Sequence, residues 1–372
     1  MANQIIEVPD ISVVKTVNGT KQLFSLRDQK VKKDGALHDF GTGSGIKAEG
    51  ELYVLKSDEV VIPDNFKAVI KATTIKNEIS FSFYRQGDTY TDWGDGTIDK
   101  NVDDHIYSDG LETHDILIYE GIYGINTFTS SDNGIISLDI SNATKLNTLV
   151  CHDNPLTKIT CSPKQELHSF EVNNCLLSKL DTYTVPGSVL FLEIKNNQIS
   201  SFDMGDLPAG LGVRLRSLYL DDNTSLDFVA IEETSLEYLT IDRCTNLTYL
   251  DCSFNKLRTF SFSGCTSLKE LYCSGNNISS NFMKVIDCPS LEAIDFSGNP
   301  FMLNETGLKN FANSLPDRTG KNMGTLIFNA SEEGGTNWIR SICDSKNWGF
   351  AIKVPDAPGG GTTSPQYNNK IK

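Results

Sequence analysis

The 372-residue sequence has no CxxC pair, no glycine-rich phosphate loop, no dinucleotide fingerprint, no nucleophile elbow and no metalloprotease helix. Without CxxC, the compact cysteine pairs of a structural zinc site are missing. Without the other motifs, the marked forms of nucleotide-dependent and hydrolytic chemistry are missing too, and the expectation is that the chain is not an enzyme and carries no cofactor. No uninterrupted apolar run approaches the length of a membrane span. The opening MANQIIEVPDISVVK has neither a basic n-region nor an apolar h-region, so no conventional secretory leader is expected there. Basic residues are also scarce: 33 Lys and Arg face 48 Asp and Glu, a formal charge of −15 with no concentrated basic patch. That balance argues against nucleic acid, whose phosphates must be neutralised. An acidic surface instead serves solubility and self-repulsion, or receives cationic groups or metal ions.

What is present is an apolar ladder that recurs from about residue 135 to 300. Leu146, Leu149 and Cys151 are followed by Asn154; Leu247, Leu250 and Cys252 by Asn255; Leu268, Leu271 and Cys273 by Asn276; and Leu291, Ile294 and Phe296 by Asn299. Half-units with the same apolar spacing lie between them, such as Leu236, Leu239, Ile241 and Leu257, Phe260, Phe262. The half-period is about 10 or 11 residues and the full coil about 21, within the range of leucine-rich repeats. Offsets 0, 3 and 5 suit a coil whose last two apolar residues point inward from a short strand while the first comes off the preceding turn. The Asn ends the strand, because its carboxamide can bond to turn backbone that a Leu would leave without partners. One coil cannot bury its own apolar side, so coils must stack and the terminal ones need caps.

The phrases LDCSFNKL at 250–257, LYCSGNNI at 271–278 and LVCHDNPL at 149–156 resemble the short leucine-rich repeats of bacterial and phage surface proteins. The resemblance covers under half of the chain and implies a binding surface. The register fails at 203–215, where DMGDLPAGLGVRL reads as a loop bulging from one side, either a contact element or a tolerated insertion. Most of the nine cysteines sit at repeat positions. Cys151, Cys252 and Cys273 share an inward slot, and Cys175, Cys244 and Cys265 take turn positions that elsewhere hold Asn. They read as buried structural thiols, with neither a disulfide framework nor a metal site expected.

The fold expected is a leucine-rich-repeat solenoid of short β-strands, with an N-terminal β-sandwich-like domain and a C-terminal α/β cap. Residues 1–46 form an attachment arm or subdomain, with strands expected only at SVVKTV and KQLFSL and an exposed loop at 34–45. Residues 47–130 form the sandwich, 131–302 the solenoid, 303–356 the cap and 357–372 a flexible tail. Within 47–130 the strand candidates are GELYVL, KAVIKA, EISFSFY, GTIDKNV, HDILIYE and INTFT. The segment DTYTDWGDGTIDK at 88–100 resembles the WGDGT turn of polycystic-kidney-disease (PKD) type sandwiches, with His105, Ile106 and Tyr107 following much as in that family. Asp88, Asp92, Asp95, Asp99, Asp103 and Asp104 read as turn and solvated carboxylates; the alternative is a weak calcium site near Asp88–Asp104, although EF-hand spacing is absent. In the cap, Leu308, Phe311 and Leu315 share a helical face that ends at Pro316, while Trp338 and Trp348 read as cap core or as a sugar platform.

These features imply a noncatalytic recognition and structural component. The resemblance places it first in a phage tail or baseplate, made in the host cytoplasm and leaving with the virion, with phage structural proteins or a host-surface protein or glycan as partners and room for oligomeric assembly. The alternatives are a bacterial cell-surface adhesin and an intracellular interaction scaffold. The candidate binding residues are the outward strand positions Tyr249, Asp251, Ser253, Glu270, Tyr272 and Ser274, extended on the opposite half-repeat surface by Glu237, Tyr238 and Thr240. Tyr249 and Tyr272 are preferred because a tyrosine offers apolar area and a hydroxyl together.

Overall fold

The computed structural model describes residues 60–352 apart from 109, 182, 280–284, 301–304 and 329–335, and before residue 60 it describes the backbone of seven strands. The chain forms two units, Met1–Pro63 and Asp64–Lys372. The tail expected at 357–372 lies outside the described residues.

The first unit contains β1 (Ile5–Glu7), β2 (Val14–Val17), β3 (Thr20–Leu23), β4 (Lys30–Lys33), β5 (Ala36–Asp39), β6 (Gly45–Ala48) and β7 (Glu51–Val54). β2–β3 and β4–β5 are antiparallel pairs, while β6 runs parallel to β1 and antiparallel to β7. Three sequence expectations change here, the first being that β1, β4, β5 and β6 join the strands at SVVKTV and KQLFSL. The segment 34–45 is not wholly loop, since β5 pairs with β4 from Lys33↔Ala36 onward. The intervening Asp34-Gly35 is a two-residue hairpin signal. GELYVL belongs with β6 in this unit instead of with the sandwich.

The second unit opens with β8 (Lys67–Thr74), β9 (Glu78–Arg85), β10 (Thr89–Asp92), β11 (Ile98–Lys100), β12 (Asp104–Ile106), β13 (His114–Glu120) and β14 (Ile125–Ser131). β11, β10, β13 and β8 lie side by side in one sheet, and β12, β9 and β14 in another. Period-2 alternation turns Ile79 and Phe81 of β9 inward. The Phe81 ring lies 6.0 Å from that of Trp93 beside β10 and 5.3 Å from Phe128 of β14, so the two sheets share one aromatic core. The short strands β10 and β12 escape a reading of apolar runs because each has only three or four residues, mostly polar.

Neither sandwich sheet ends at residue 130. The next strands are β15 (Ile135–Asp139), β16 (Thr148–His152) and β17 (Lys158–Thr160). β14 pairs in parallel with β16, while β15 pairs antiparallel with β8 and parallel with β17. The sandwich is therefore hydrogen-bonded into the first coils and covers their apolar end.

The solenoid continues through β18 (Ser169–Glu171), β19 (Phe191–Glu193), β20 (Ser201–Asp203), β21 (Ser217–Tyr219), β22 (Phe228–Ala230), β23 (Tyr238–Thr240), β24 (Tyr249–Asp251), β25 (Thr259–Ser261), β26 (Glu270–Tyr272) and β27 (Ala293–Asp295). Successive half-units feed two sheets through parallel pairings. One is a nine-stranded sheet ordered β12-β9-β14-β16-β18-β19-β21-β23-β25, and the other begins β20-β22-β24-β26-β27. Ladder leucines stack in register, as in Leu218↔Leu239↔Phe260 and Val229↔Leu250↔Leu271↔Ile294. Leu250 and Leu271 are fully buried, and each such side chain contributes about 1.5–3 kcal/mol.

The insertion at 203–215 is not a bulging loop. Asp203 accepts from the Gly205 amide to start a 3-10 turn, and α1 (Ala209–Arg214) follows. Leu207, Leu211 and Leu215, four apart, are all buried, so the segment folds its apolar face into the core.

The polar turn slot carries a second ladder. Asn154, Asn197, Asn223, Asn255, Asn276 and Asn299 each donate through Nδ2 to the backbone carbonyl of the inward residue one coil earlier, for example Asn276 to Cys252 O at 2.9 Å and Asn299 to Cys273 O at 2.8 Å. Four cysteines take the same slot and donate Sγ–H to the equivalent carbonyl: Cys175 to Cys151 O, Cys244 to Leu220 O, Cys265 to Ile241 O and Cys288 to Phe262 O, at 3.1–3.5 Å. The difference lies in accepting. Asn276 Oδ1 also takes the Leu257 amide at 3.0 Å and Asn255 Oδ1 the Leu236 amide at 3.0 Å, which a thiol does poorly. The residue before each slot turns the chain through the left-handed region, with φ of 53–62° at Asp153, Asn174, Asp222, Arg243 and Phe254.

Past β27 the chain forms α2 (Glu305–Ser314), β28 (Gly324–Phe328), α3 (Thr336–Ser345) and β29 (Trp348–Ile352), and β28 and β29 complete a seven-stranded sheet. Leu308, Phe311 and Leu315 are buried, with Phe311 edge-on to Phe296 of the last Asn coil at 5.0 Å. Trp348 is buried and donates to Pro316 O at 2.8 Å, so it belongs to the cap core and offers no sugar platform.

Candidate functional site

The two solenoid sheets present different outer faces, because outward residues alternate with the ladder along every strand. On the nine-stranded sheet, charges pair across coils. Lys195 Nζ lies 3.2 Å from Glu193 and 3.7 Å from Asp221, Glu237 lies 3.8 Å from both Arg216 and Arg258, and Arg243 holds Asp222 through two bonds of 2.6 and 2.7 Å. Glu237, Tyr238 and Thr240 belong to this face. Thr240 is committed to Asp221 through a 2.8 Å hydrogen bond, and Tyr238 is exposed.

Tyr249, Asp251, Glu270 and Tyr272 lie on the seven-stranded face. The register sets Tyr249 opposite Glu270 and Asp251 opposite Tyr272, so the four alternate aromatic and acidic at the corners of one patch. The tyrosine rings are 5.7 Å apart, and Phe228 stacks on Tyr249 at 5.0 Å with 8° between planes. Tyr272 Oη donates to Glu270 at 2.9 Å, and Tyr249 Oη reaches Asp251 at 3.5 Å. Partial burial, and then the negative field of Asp251, Glu232 and Glu270, push the Tyr249 hydroxyl up to about 12. Two expected contacts are corrected. Ser253 and Ser274 are only 5% and 6% exposed, because the chain turns inward after the strand and the carbonyls of both accept from Asn255 and Asn276. Phe228 was not among the sequence candidates, although it stands one 21-residue coil before Tyr249 at the same offset.

The acidic turn of the sandwich is occupied by its own hydrogen bonds. Asp95 accepts from the Thr97 amide and hydroxyl and from His105 Nε2 at 2.8 Å. Its partial burial acts to raise the carboxyl, but Thr97 and His105 outweigh it and leave the group below its ordinary value. Asp99 accepts from Trp93 Nε1, Asp92 from the Gly94 amide, Asp103 from Arg85 and Asp104 from Ser80, while Asp88 pairs with Lys100. The six carboxylates are thus spread among six local tasks and not gathered around one point, and no group of three or more His, Cys, Asp or Glu among the described residues is placed to hold a metal ion.

Cys252 and Cys273, neighbours in the inward column, form a disulfide, which corrects the all-thiol expectation for this pair. The other seven cysteines are buried thiols. Burial pushes the Cys175 and Cys288 thiols up to about 11, which keeps them protonated as donors. Nothing among the described residues is arranged as a nucleophile with its base.

These coils define a leucine-rich-repeat solenoid. Residues 245–284 match the family model described as leucine rich repeats (2 copies). No curated protein matches the chain. Among solved structures, the chain is similar to the functional domain of InlJ from Listeria monocytogenes, described as including a cysteine ladder, at 19% identity and a TM-score of 0.23 over 55% of this chain and 48% of that one. The chain therefore matches about half the length of that structure, and a superposition this loose carries no argument about function.

Proposed function

We propose that this protein is a noncatalytic extracellular recognition protein, a leucine-rich-repeat adhesin of the bacterial surface, which grips a protein or glycan through the outer face of its seven-stranded sheet. The observation that carries the reading is the aromatic row Phe228, Tyr249 and Tyr272 on a strand face, set against a nine-stranded face whose charges are already paired with one another. Ring faces and hydroxyls on a rigid repeat are the usual material of a recognition surface. In this reading the cell surface replaces the phage tail or baseplate as the preferred location. The PKD-like kinship of the Trp93–Thr97 turn is kept as part of the proposal. It is supported by the buried Trp93, whose carbonyl accepts from Tyr107 Oη at 2.8 Å, and by Gly94 at φ +83°, where a Cβ would stand 2.4 Å from Asp115 O.

The test is a binding screen of the whole chain against host-surface proteins and glycans, with Tyr249→Ala and Tyr272→Ala as probes. A ligand whose affinity falls about tenfold or more in both variants supports the assignment. A cognate ligand bound unchanged by both, with folding intact, moves recognition elsewhere. Protease shaving of the source cells addresses location: release of the protein from intact cells is expected, and its survival inside them argues for the intracellular scaffold.

A further inference from the structure

On the outer face of the nine-stranded sheet, strand pairing sets one row of side chains in register across the joint between sandwich and coils. Tyr84 lies opposite Thr127, Thr127 opposite Thr148 and Thr148 opposite Ser169. The row continues through Phe191 and Ser217 to Tyr238. None of these positions is charged, in a chain where 22% of residues are. The charges of this face lie beside the row and pair with one another: Lys195 with Glu193 and Asp221, and Glu237 with Arg216 and Arg258 at the Tyr238 end. Tyr84 and Tyr238 are 63% and 41% exposed, and Phe191 leans on Tyr219 with ring centres 5.2 Å apart. Strands about 4.8 Å apart put Phe191 about 19 Å from Tyr84 and about 10 Å from Tyr238 along the row. Hydroxyls lie between the rings. Asn126-Thr127 and Asn147-Thr148 repeat one arrangement on paired strands, each threonine hydroxyl donating to the preceding Asn Oδ1 at 3.4 and 3.5 Å. Those bonds are long for a hydroxyl donor, so a better placed acceptor can replace them.

We propose that this row is a second recognition surface, separate from the seven-stranded face, and that it seats a neutral oligosaccharide laid along the solenoid across the joint. A sugar chain presents the two kinds of surface that the row can meet, flat C–H faces for the rings of Tyr84, Phe191 and Tyr238 and hydroxyls for the Asn-Thr pairs. A charged ligand fits poorly. The row offers it no counter-charge, and a sulfated or carboxylated glycan also meets Glu171 and Glu193, which follow Ser169 and Phe191 at the next outward position of their strands, in a chain of formal charge −15. Because the row crosses from β9 and β14 of the sandwich into β16 and β18 of the coils, the hydrogen bonding that joins the two regions also aligns the two halves of the surface.

The experiment titrates the whole chain with neutral hexasaccharides of glucose, galactose and N-acetylglucosamine, with the matching disaccharides, and with a sulfated hexasaccharide, at low and high salt. At least one neutral hexasaccharide is expected to bind, about tenfold or more tighter than its disaccharide because it reaches more than one ring. Its affinity should not change with salt, and the sulfated probe should bind more weakly. Tyr84 and Tyr238 are exposed, so their truncation leaves the core intact. Tyr84→Ala with Tyr238→Ala should weaken binding about tenfold or more, while Tyr84→Phe with Tyr238→Phe, which keeps the rings, should stay within about threefold. Thr127→Val with Thr148→Val removes the hydroxyls and should also weaken it, by about fivefold. Failure of every neutral hexasaccharide to bind, equal or tighter binding of the sulfated one, or unchanged affinity in the Tyr84→Ala, Tyr238→Ala variant overturns the proposal. If Tyr249→Ala with Tyr272→Ala weakens the hexasaccharide in place of that variant, the glycan belongs to the seven-stranded face, and the row falls while the reading of that face stands.

Discussion

Asn276 and Cys265 occupy equivalent turn slots but do unequal work. Asn276 satisfies the Leu257 amide and the Cys252 and Cys273 carbonyls, whereas Cys265 supplies one weak donor, to Ile241 O at 3.1 Å. Replacing Asn276 by the near-isosteric Leu leaves the buried Leu257 N–H without a partner, at about 1–3 kcal/mol, and removes one of two donors from the Cys252 and Cys273 carbonyls, which Asn255 and Asn299 still serve. Cys265→Ala loses little more than a methyl-sized volume and a weak bond, roughly 1 kcal/mol. Denaturant midpoints at fixed slope should therefore fall further for Asn276→Leu; equal shifts would remove the distinction. A second residue-scale expectation concerns Asp95. Its folded-state carboxyl is held below the ordinary value of 3.8, so its contribution is complete above the unfolded value and is lost as pH falls through the lower folded one. The stability gap between the unaltered chain and Asp95→Asn should be constant near neutrality and close below about pH 4. Urea unfolding at pH 7 and pH 3 measures it. The turn role of Asp95 was legible from WGDGT, but the His105 partnership was not, since a strand pairing between β12 and β9 is what brings His105 to it.

At the scale of elements, each coil meets only its neighbours, so damage should stay local. Leu271→Ala empties a fully buried ladder position, at about 2–5 kcal/mol, and Leu271→Asp adds an unpaired buried charge. Hydrogen exchange on Leu271→Asp should show lost protection in β24, β26 and β27 with β8, β9 and β14 still protected; loss in both regions together would mean that sandwich and coils unfold as one. The 0, 3, 5 spacing made these strands readable in advance, because burial on one side leaves a period that survives in the sequence. Two things escaped it. Leu207, Leu211 and Leu215 have helical spacing, but Gly and Pro among them read as loop. The division of half-units between two sheets depends on which strands pair, and no single coil records that. The candidate patch was half legible for the same reason: outward positions follow from alternation, yet the burial of Ser253 and Ser274 follows from where each turn bends.

Taken as a whole, the second unit is one hydrogen-bonded body from sandwich to cap. A fragment starting at residue 131 strips β14 from β16 and β8 from β15, leaving two unpaired edges over open apolar coils. A fragment starting at Asp64, where the second unit begins, keeps both pairings. The shorter piece is expected to aggregate and the longer one to elute as a discrete species with cooperative melting, as size-exclusion chromatography and circular dichroism can record. A soluble, cooperatively folded 131–372 would show that the coils close themselves.

The Cys252–Cys273 bond also sets how the chain answers to force. It joins positions 21 residues apart and closes a loop that holds β25 and β26, with Tyr272 inside it and Tyr249 just before it. If the protein is stretched from its ends, as an anchor under shear would be, that loop cannot pay out. The oxidised molecule should extend about 70 Å less than the reduced one at full unravelling. In single-molecule pulling the missing length would be the signature of the bond, and its return on adding reductant would show that redox state governs how much slack the tether holds.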